Sequence, residues 1–334
     1  MALDLPLIWA GIIAFAVIAY VVMDGFDLGI GILFPFFPER PDRDLMTNSI
    51  APVWDGNETW LVMGGGGLMA AFPVVYATVL PALYFPIVLM LLALVFRGVA
   101  FEFRWRSQRR SHLWDIGFWI GSTLAAAMQG FALGAMVEGI AIADGRFVGH
   151  AFDWFSPFTV MTAAAVVVGY ALLGATWLVL KTVGPIQDHA RRVALPAGAA
   201  LFALIGVVSL WTPFINATYF ARWFTWPMMG FSVLVPALLA GCAYALWLGL
   251  RNGRDAQPFL AALGMFFLCF AGLGISFFPY IIPGSLTIQD SAAPDASLSF
   301  MLVGAAVLIP IILAYTGYSY WVFRGKMDPE EGYH

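Results

Sequence analysis

Along this chain, apolar residues do not alternate with polar ones and do not keep to one helix face. They come in long runs, apolar on all sides, as helices buried in lipid or a large core do. A helix needs about 20 such residues to cross the hydrocarbon core of a bilayer. Runs of that length predict nine membrane-spanning helices, at 6–34, 50–73, 80–101, 114–137, 157–181, 195–213, 228–250, 258–281 and 298–323. Pro73 and Pro81 punctuate a nearly continuous run at the border of the second and third. The expected fold is an all-α polytopic membrane protein, with 1–334 as a single integral membrane domain.

Composition strengthens this reading. The 334 residues are 61% hydrophobic and 11% charged, against about 25% charged in soluble domains. Cys242 and Cys269 lie in apolar runs and are expected as buried reduced thiols. The first run follows neither a basic start nor a small-residue cleavage site, so it is expected to remain as a helix. A net charge of −4 without a basic tract gives no footing for nucleic acid.

Charge then orients the helices, because cytoplasmic loops are enriched in Lys and Arg. Alternate loops, beginning after the first run, hold Arg40 and Arg43; Arg97, Arg104, Arg106, Arg109 and Arg110; Lys181, Arg191 and Arg192; and Arg251 and Arg254, with Arg324 and Lys326 in the tail. Of the 16 basic residues only Arg146 and Arg222 fall on the other side. The segregation predicts a periplasmic N-terminus and a cytoplasmic C-terminus.

In that frame five carboxylates share one depth on three consecutive helices. Asp24 and Asp27 stand in the cytoplasmic half of the first, in "AYVVMDGFDLGIGILFPFF". Asp55 and Glu58 open the second, in "SIAPVWDGNETWLVMGGGG", and Glu102 closes the third. The i,i+3 spacing puts the members of each pair on one face. Carboxylates inside a membrane are candidates for ion or proton pathways. A plainer reading has Asp55 and Glu58 favoured by a helix N-terminus, and Glu102 in an interfacial ion pair with Arg97 and Arg104. Gly25 and Gly29, and the run Gly64 to Gly67, suit close helix packing. Trp54, Trp60 and Trp105 are expected as interfacial anchors.

His112, His150, His189 and His334 are all expected in loops or the tail, so no span offers a histidine ligand to haem. No Cys/His cluster or phosphate loop is evident, and a metal site is not expected. Two classes fit: an ion-coupled secondary transporter, or an accessory subunit conducting protons to a cofactor held by a partner. The absence of an internal repeat and the off-centre acids tilt towards the second.

"DGFDLGIG" and "NSIAPVWDGNETWL" resemble subunit II of the cytochrome bd-type quinol oxidases. "VFRGVAFEFR" at 95–104, "GATWLVLKT" at 174–182, "FFPYIIP" at 277–283 and "ILAYTGYSYW" at 312–321 extend the resemblance over nearly the whole chain. It implies two four-helix bundles plus a peripheral helix, in the bacterial inner membrane. It implies a heterodimer with a subunit I that holds the b-type haems, haem d or its substitute, and the quinol-oxidising loop. The complex would oxidise quinol, reduce dioxygen and take protons from the cytoplasm. Asp27 and Asp55 match the family's proton-path acids, Glu102 takes the acidic place after "VFR", and Asp24 and Glu58 are their neighbours. Glu58 stands where some members carry glutamine. Short outer loops at 138–156 and 214–227 resemble the cyanide-insensitive branch. A structural quinone, membrane lipids and a small single-span subunit are further partners that the resemblance admits.

Overall fold

The computed structural model describes residues 3–106, 111–143, 145–226 and 228–327. Arg109, Arg110 and His334 lie outside the described residues. The chain runs through α1 (Leu5–Ile32), α2 (Arg40–Ile50), α3 (Trp54–Ala71), α4 (Pro73–Ala82), α5 (Tyr84–Arg106) and α6 (Ser111–Glu138). A hairpin of β1 (Ile142–Ala143) and β2 (Arg146–Phe147) leads to α7 (Pro157–Lys181), α8 (Gly184–Ile215), α9 (Ala217–Phe224) and α10 (Met228–Ser232). Next come α11 (Leu234–Arg251), α12 (Ala256–Phe277), a hairpin of β3 (Tyr280–Ile282) and β4 (Leu286–Thr287), and α13 (Asp295–Val322). Among the described residues eight helices are long and apolar enough to cross a membrane: α1, α5, α6, α7, α8, α11, α12 and α13.

Local chemistry sets the boundaries. Asp4 caps α1, its Oδ1 accepting from the Leu7 amide at 3.1 Å, with Pro6 in the first turn. Ser156 and Thr159 form a reciprocal capping box at the start of α7. The residue before a proline is pushed out of the helical region, and Phe72, before Pro73, duly ends α3 at φ −134° and ψ 64°.

Several boundaries differ from expectation. The run at 50–73 divides into the end of amphipathic α2 and the 18-residue α3, which falls outside the eight. α5 continues to Arg106, so Arg97 lies well inside a helix and is buried, not in a loop. α8 starts at Gly184, well before 195, because Gln187 to Arg192 form polar turns that hydropathy alone passes over. His112 and His189 consequently belong to the first turn of α6 and the second turn of α8 instead of loops. Trp60 is no interfacial anchor: it is 1% exposed, packed among Ala16, Ala19 and Tyr20.

α1 is the central element, packed on α3, α6 and α7, while α5 pairs with α6, α7 with α8, and α11 with α12. α3 runs antiparallel along α1, with Asn57 near Met23 and Asp27, Gly64 near Ala16 and Val17, and Gly67 near Ile13. Only Gly64 and Gly67 of that glycine run meet α1; Gly65 and Gly66 face open space. The α1–α7 contact is glycine on glycine: a Cβ on Gly29 would strike the Tyr170 carbonyl, and one on Gly174 would lie 2.5 Å from the Gly29 carbonyl carbon.

Backbone cannot yield there as a side chain can. Gly29→Ala is therefore expected to destabilise by about 1–3 kcal/mol or more, lowering the melting temperature of the purified protein. Gly66→Ala should leave it unchanged. Equal melting temperatures for the two variants would refute this account of the seam.

Candidate functional site

The first helix buries both of its aspartates completely, each 0% exposed. They meet different partners. Arg97 of α5 donates from Nη1 to Asp24 Oδ1 at 2.6 Å and lies 3.9 Å from Glu58 Oε2 through Nη2. The guanidinium also stands over the Trp54 ring, 5.6 Å from its centroid. Asp27 has no such ion pair among the described residues. Its Oδ2 accepts from Asn57 Nδ2 at 2.7 Å, and that nitrogen also donates to the Met23 carbonyl at 3.3 Å. Asn57 Oδ1 in turn accepts from the Tyr320 hydroxyl of α13 at 2.8 Å. Asp24 Oδ2 and Asp27 Oδ1 find no hydrogen-bond donor among the described residues.

Four helices thus contribute to one buried cluster: α1, α3, α5 and α13. The inward stripe of α3 runs through Asn57, Trp60, Gly64 and Ala71, at helical spacing. Asp55 and Glu58 fall off that stripe. Asp55 is exposed in the first turn of α3, where a helix N-terminus favours an anion. Glu58 is half-buried and reaches the site only through Arg97.

Glu102 is exposed on α5, and its expected partners are turned elsewhere. Arg97 serves Asp24, and Arg104 binds Asp115 (2.6 Å) and Asp44 (2.6 Å). Of the five expected acids, then, Asp24, Asp27 and Glu58 come together, while Asp55 and Glu102 stand on the outer surface. Arg97, Asn57 and Tyr320 complete the site. The signal for Arg97 was its place inside "LALVFRGVAF", an apolar stretch that continues on both sides.

A second buried polar thread starts one turn along α1. Gln129 of α6 donates from Nε2 to the Tyr20 hydroxyl at 2.8 Å and accepts from the Tyr170 hydroxyl at 2.5 Å. Tyr20 precedes Asp24 by four residues and shares its helix face. Gly25 leaves room for the Tyr170 ring, which a Cβ would approach to 2.8 Å.

Ion networks tie the basic end of the helices nearby. Asp115 bridges Arg104 and Arg43 (3.0 Å), and Arg43 donates to the carbonyls of Phe34 (3.1 Å) and Phe37 (2.7 Å), fixing the turn after α1. Asp255 pairs with Arg191 (2.6 Å) and Lys326 (2.8 Å). Among the described residues no three His, Cys, Asp or Glu side chains gather as a metal-ligand set. His112 and His150 are exposed, and His189 packs on the Phe37 ring at 4.6 Å. These histidines do not fit the axial ligation of a membrane-buried haem.

Removing one partner of a buried ion pair strands the other, at about 3–5 kcal/mol. Arg97→Gln should therefore lower the melting temperature sharply, and adding Asp24→Asn should recover much of the loss. A double variant no more stable than Arg97→Gln alone would show that the pair is not what the arginine supports.

The comparisons with known proteins fit this architecture. The family described as "Cytochrome bd terminal oxidase subunit II" matches residues 5–323. "Cytochrome bd-I ubiquinol oxidase subunit 2" of Escherichia coli (strain K12) is 29% identical, over 98% of this chain and 96% of its own length. "Probable cytochrome oxidase subunit 2" of Haemophilus influenzae is 30% identical, over 97% of this chain and 95% of its own. The solved bd oxidase from Geobacillus thermodenitrificans has a chain of the same fold, with a TM-score of 0.79 at 16% identity, covering 96% of this chain and 99% of that one. With an oxidase-subunit family matched over almost its entire length and a fold built around two buried aspartates, this chain belongs to the cytochrome bd terminal oxidase subunit II family.

Proposed function

We propose that this chain is the subunit of a quinol:oxygen oxidoreductase that supports a haem-bearing subunit I and carries cytoplasmic protons towards the oxygen-reducing centre in that partner. The observation carrying the proposal is the contrast between Asp24 and Asp27. Among the described residues each acid has one oxygen without a donor, but Asp24 has a guanidinium at 2.6 Å on the other, whereas Asp27 has only a neutral amide. Burying a carboxylate without a paired cation is costly, and a bound proton at Oδ1 removes that charge. Asp27 is thus the carboxyl suited to take up and pass on a proton, and Asp24 is the one that holds Arg97 in place.

Asp55, exposed at the start of α3, is the uptake group. Glu58, one turn deeper and half-buried, stands between it and the cluster. Exposed carboxylates on membrane helices are costly in lipid, so the surface bearing Asp55 and Glu102 is where water or the partner subunit covers the chain. Glu102 is the relay group on that side. The fold supporting this function has nine spans, with α3 as the ninth beside α1. α1, α3, α5 and α6 form one four-helix bundle, α7, α8, α11 and α12 the other, and α13 is peripheral. The gathering of the basic residues at one end supports a periplasmic N-terminus and a cytoplasmic C-terminus in the bacterial inner membrane. The haems and the quinol site belong to subunit I, since the described histidines, His112, His150 and His189, suit no buried haem.

The test is oxygen consumption with quinol by the purified complex, with haem content measured on the same sample. Asp27→Asn and Asp55→Asn are expected to cut turnover at least about tenfold, a loss of about 1.4 kcal/mol or more in the limiting step, with haem retained. Glu58→Gln should be milder. Full turnover in Asp27→Asn would refute the proton role. Loss of haem in that variant would assign the residue to assembly instead.

A further inference from the structure

α13 is exposed over most of its length, with Phe300 82% and Val303 70% exposed, yet it is fastened at both ends. Near its start Trp9 Nε1 donates to the Leu298 carbonyl at 3.0 Å, and the Ala293 amide donates to the Ala71 carbonyl at 2.8 Å. Beyond its end, Lys181 donates to the carbonyls of Phe323 and Gly325, and the Met327 amide donates back to the Lys181 carbonyl at 2.7 Å. Lys326 donates to the carbonyls of Val179 (3.2 Å) and Thr182 (2.9 Å). This clasp does more than anchor a peripheral helix. It sets Tyr320, three residues before Phe323, edge-on against Phe26 (centroids 6.5 Å apart) and Trp177 (6.3 Å). From that seat the phenol reaches Asn57.

We propose that Tyr320 is a positioning residue of the proton site, holding the Asn57 carboxamide in the orientation that donates to Asp27. The inference rests on Asp27 being the proton carrier. A carboxamide has one accepting end and one donating end. The Tyr320 hydroxyl donates to Oδ1 at 2.8 Å, which turns Nδ2 towards Asp27 Oδ2. In the flipped amide, Asn57 Oδ1 would face a carboxylate oxygen, and two acceptors would meet without a hydrogen between them.

The consequence is chemical. With Oδ2 occupied by the amide, the proton is held at Oδ1, the oxygen without a donor. Tyr320 thereby selects the oxygen that carries the proton. The competing explanation is that the Met23 carbonyl alone orients the amide and that the tyrosine only fills space. At 3.3 Å that bond is long beside the 2.8 Å phenol bond, and hydrogen bonds weaken with length.

The experiment uses the complete purified complex. Tyr320→Phe keeps the ring and its aromatic seat and removes only the hydroxyl. Its expected signature is normal haem content, a slightly lowered melting temperature, an unchanged KM for quinol, and a kcat lowered about fivefold, as for one lost buried hydrogen bond. In reaction-induced infrared difference spectra, the carboxyl C=O band that disappears in Asp27→Asn should shift in Tyr320→Phe. A space-filling role would leave that band in place. Because the tyrosine acts through Asn57, adding Tyr320→Phe to Asn57→Ala should cost nothing further.

Wild-type kcat and band position in Tyr320→Phe would overturn the proposal, as would additive losses in the double variant. Loss of haem or assembly in Tyr320→Phe would overturn it too, by making the hydroxyl a requirement of the fold. Full turnover in Asp27→Asn would instead remove the proton role on which the inference rests.

Discussion

The contact between Asp24 and Arg97 is the constraint from which the rest of this structure follows. A carboxylate at 0% exposure and a guanidinium at 1% have each given up water. Such a pair survives in a low dielectric only with close, well-aligned geometry. The 2.6 Å bond supplies it, and supplying it dictates where α5 stands relative to α1. α6 fixes the same point from behind. A Cβ on Gly121 would lie 2.9 Å from the Ala93 carbonyl and 3.1 Å from the Arg97 nitrogen, so only a glycine lets α6 brace the backbone that carries the arginine. On the opposite side of α1, the Gly29–Gly174 contact brings α7 equally close. The central helix is held by backbone contact on one side and by charge on the other.

Once Arg97 is committed to Asp24, the chemistry of the neighbouring aspartate is determined. Asp27 lies one turn on, receives one amide hydrogen bond and keeps one oxygen without a donor. Two acids in the same sequence motif are therefore not equivalent. One is paired with a guanidinium and the other with a neutral amide, and the difference comes from what α3 and α5 present, not from the motif. Membership of the subunit II family resolves the choice between transporter and oxidase subunit in favour of the latter. The geometry adds that, of the two aspartates, Asp24 is the one paired with a cation among the described residues.

Much of this was legible in the sequence. Long apolar runs located the eight apolar helices, and "DGFDLGIG" marked the site on α1. The failures have physical causes. Arg97 reads as a loop residue because a charge inside a span reads as the end of the span; only a buried counter-ion reverses that reading, and Asp24 is far away in sequence. Asp55 groups with Asp24 and Asp27 in the sequence because depth follows from helical rise, whereas facing depends on which stripe of α3 meets α1. That helix is rich in glycine and carries tryptophan and acids around its circumference, so its pattern gives little sign of a buried face. Asn57, on the buried stripe, is a neutral amide that motif reading passes over. Tyr320 is some three hundred residues from its aspartate, and nothing local in "YTGYSYW" says that one of its three tyrosines turns inward.

The distribution of the remaining acids follows from the same geometry. A charge inside a single chain must find its counter-ion within that chain, as Asp24 does with Arg97 and as Asp115 does with Arg43 and Arg104. Asp55 and Glu102 take no part in those internal networks and face outward. Around them α3 and α5 present Val62, Met69, Leu92 and Val95, all strongly exposed, with Gly65 and Gly66 open to close approach. Small residues between apolar ones let helix backbones approach in a membrane, and carboxylates there are tolerated where protein or water meets them. The ion-paired Asp24 and Asp115 thus lie inside the chain, while Asp55 and Glu102 lie on its outside.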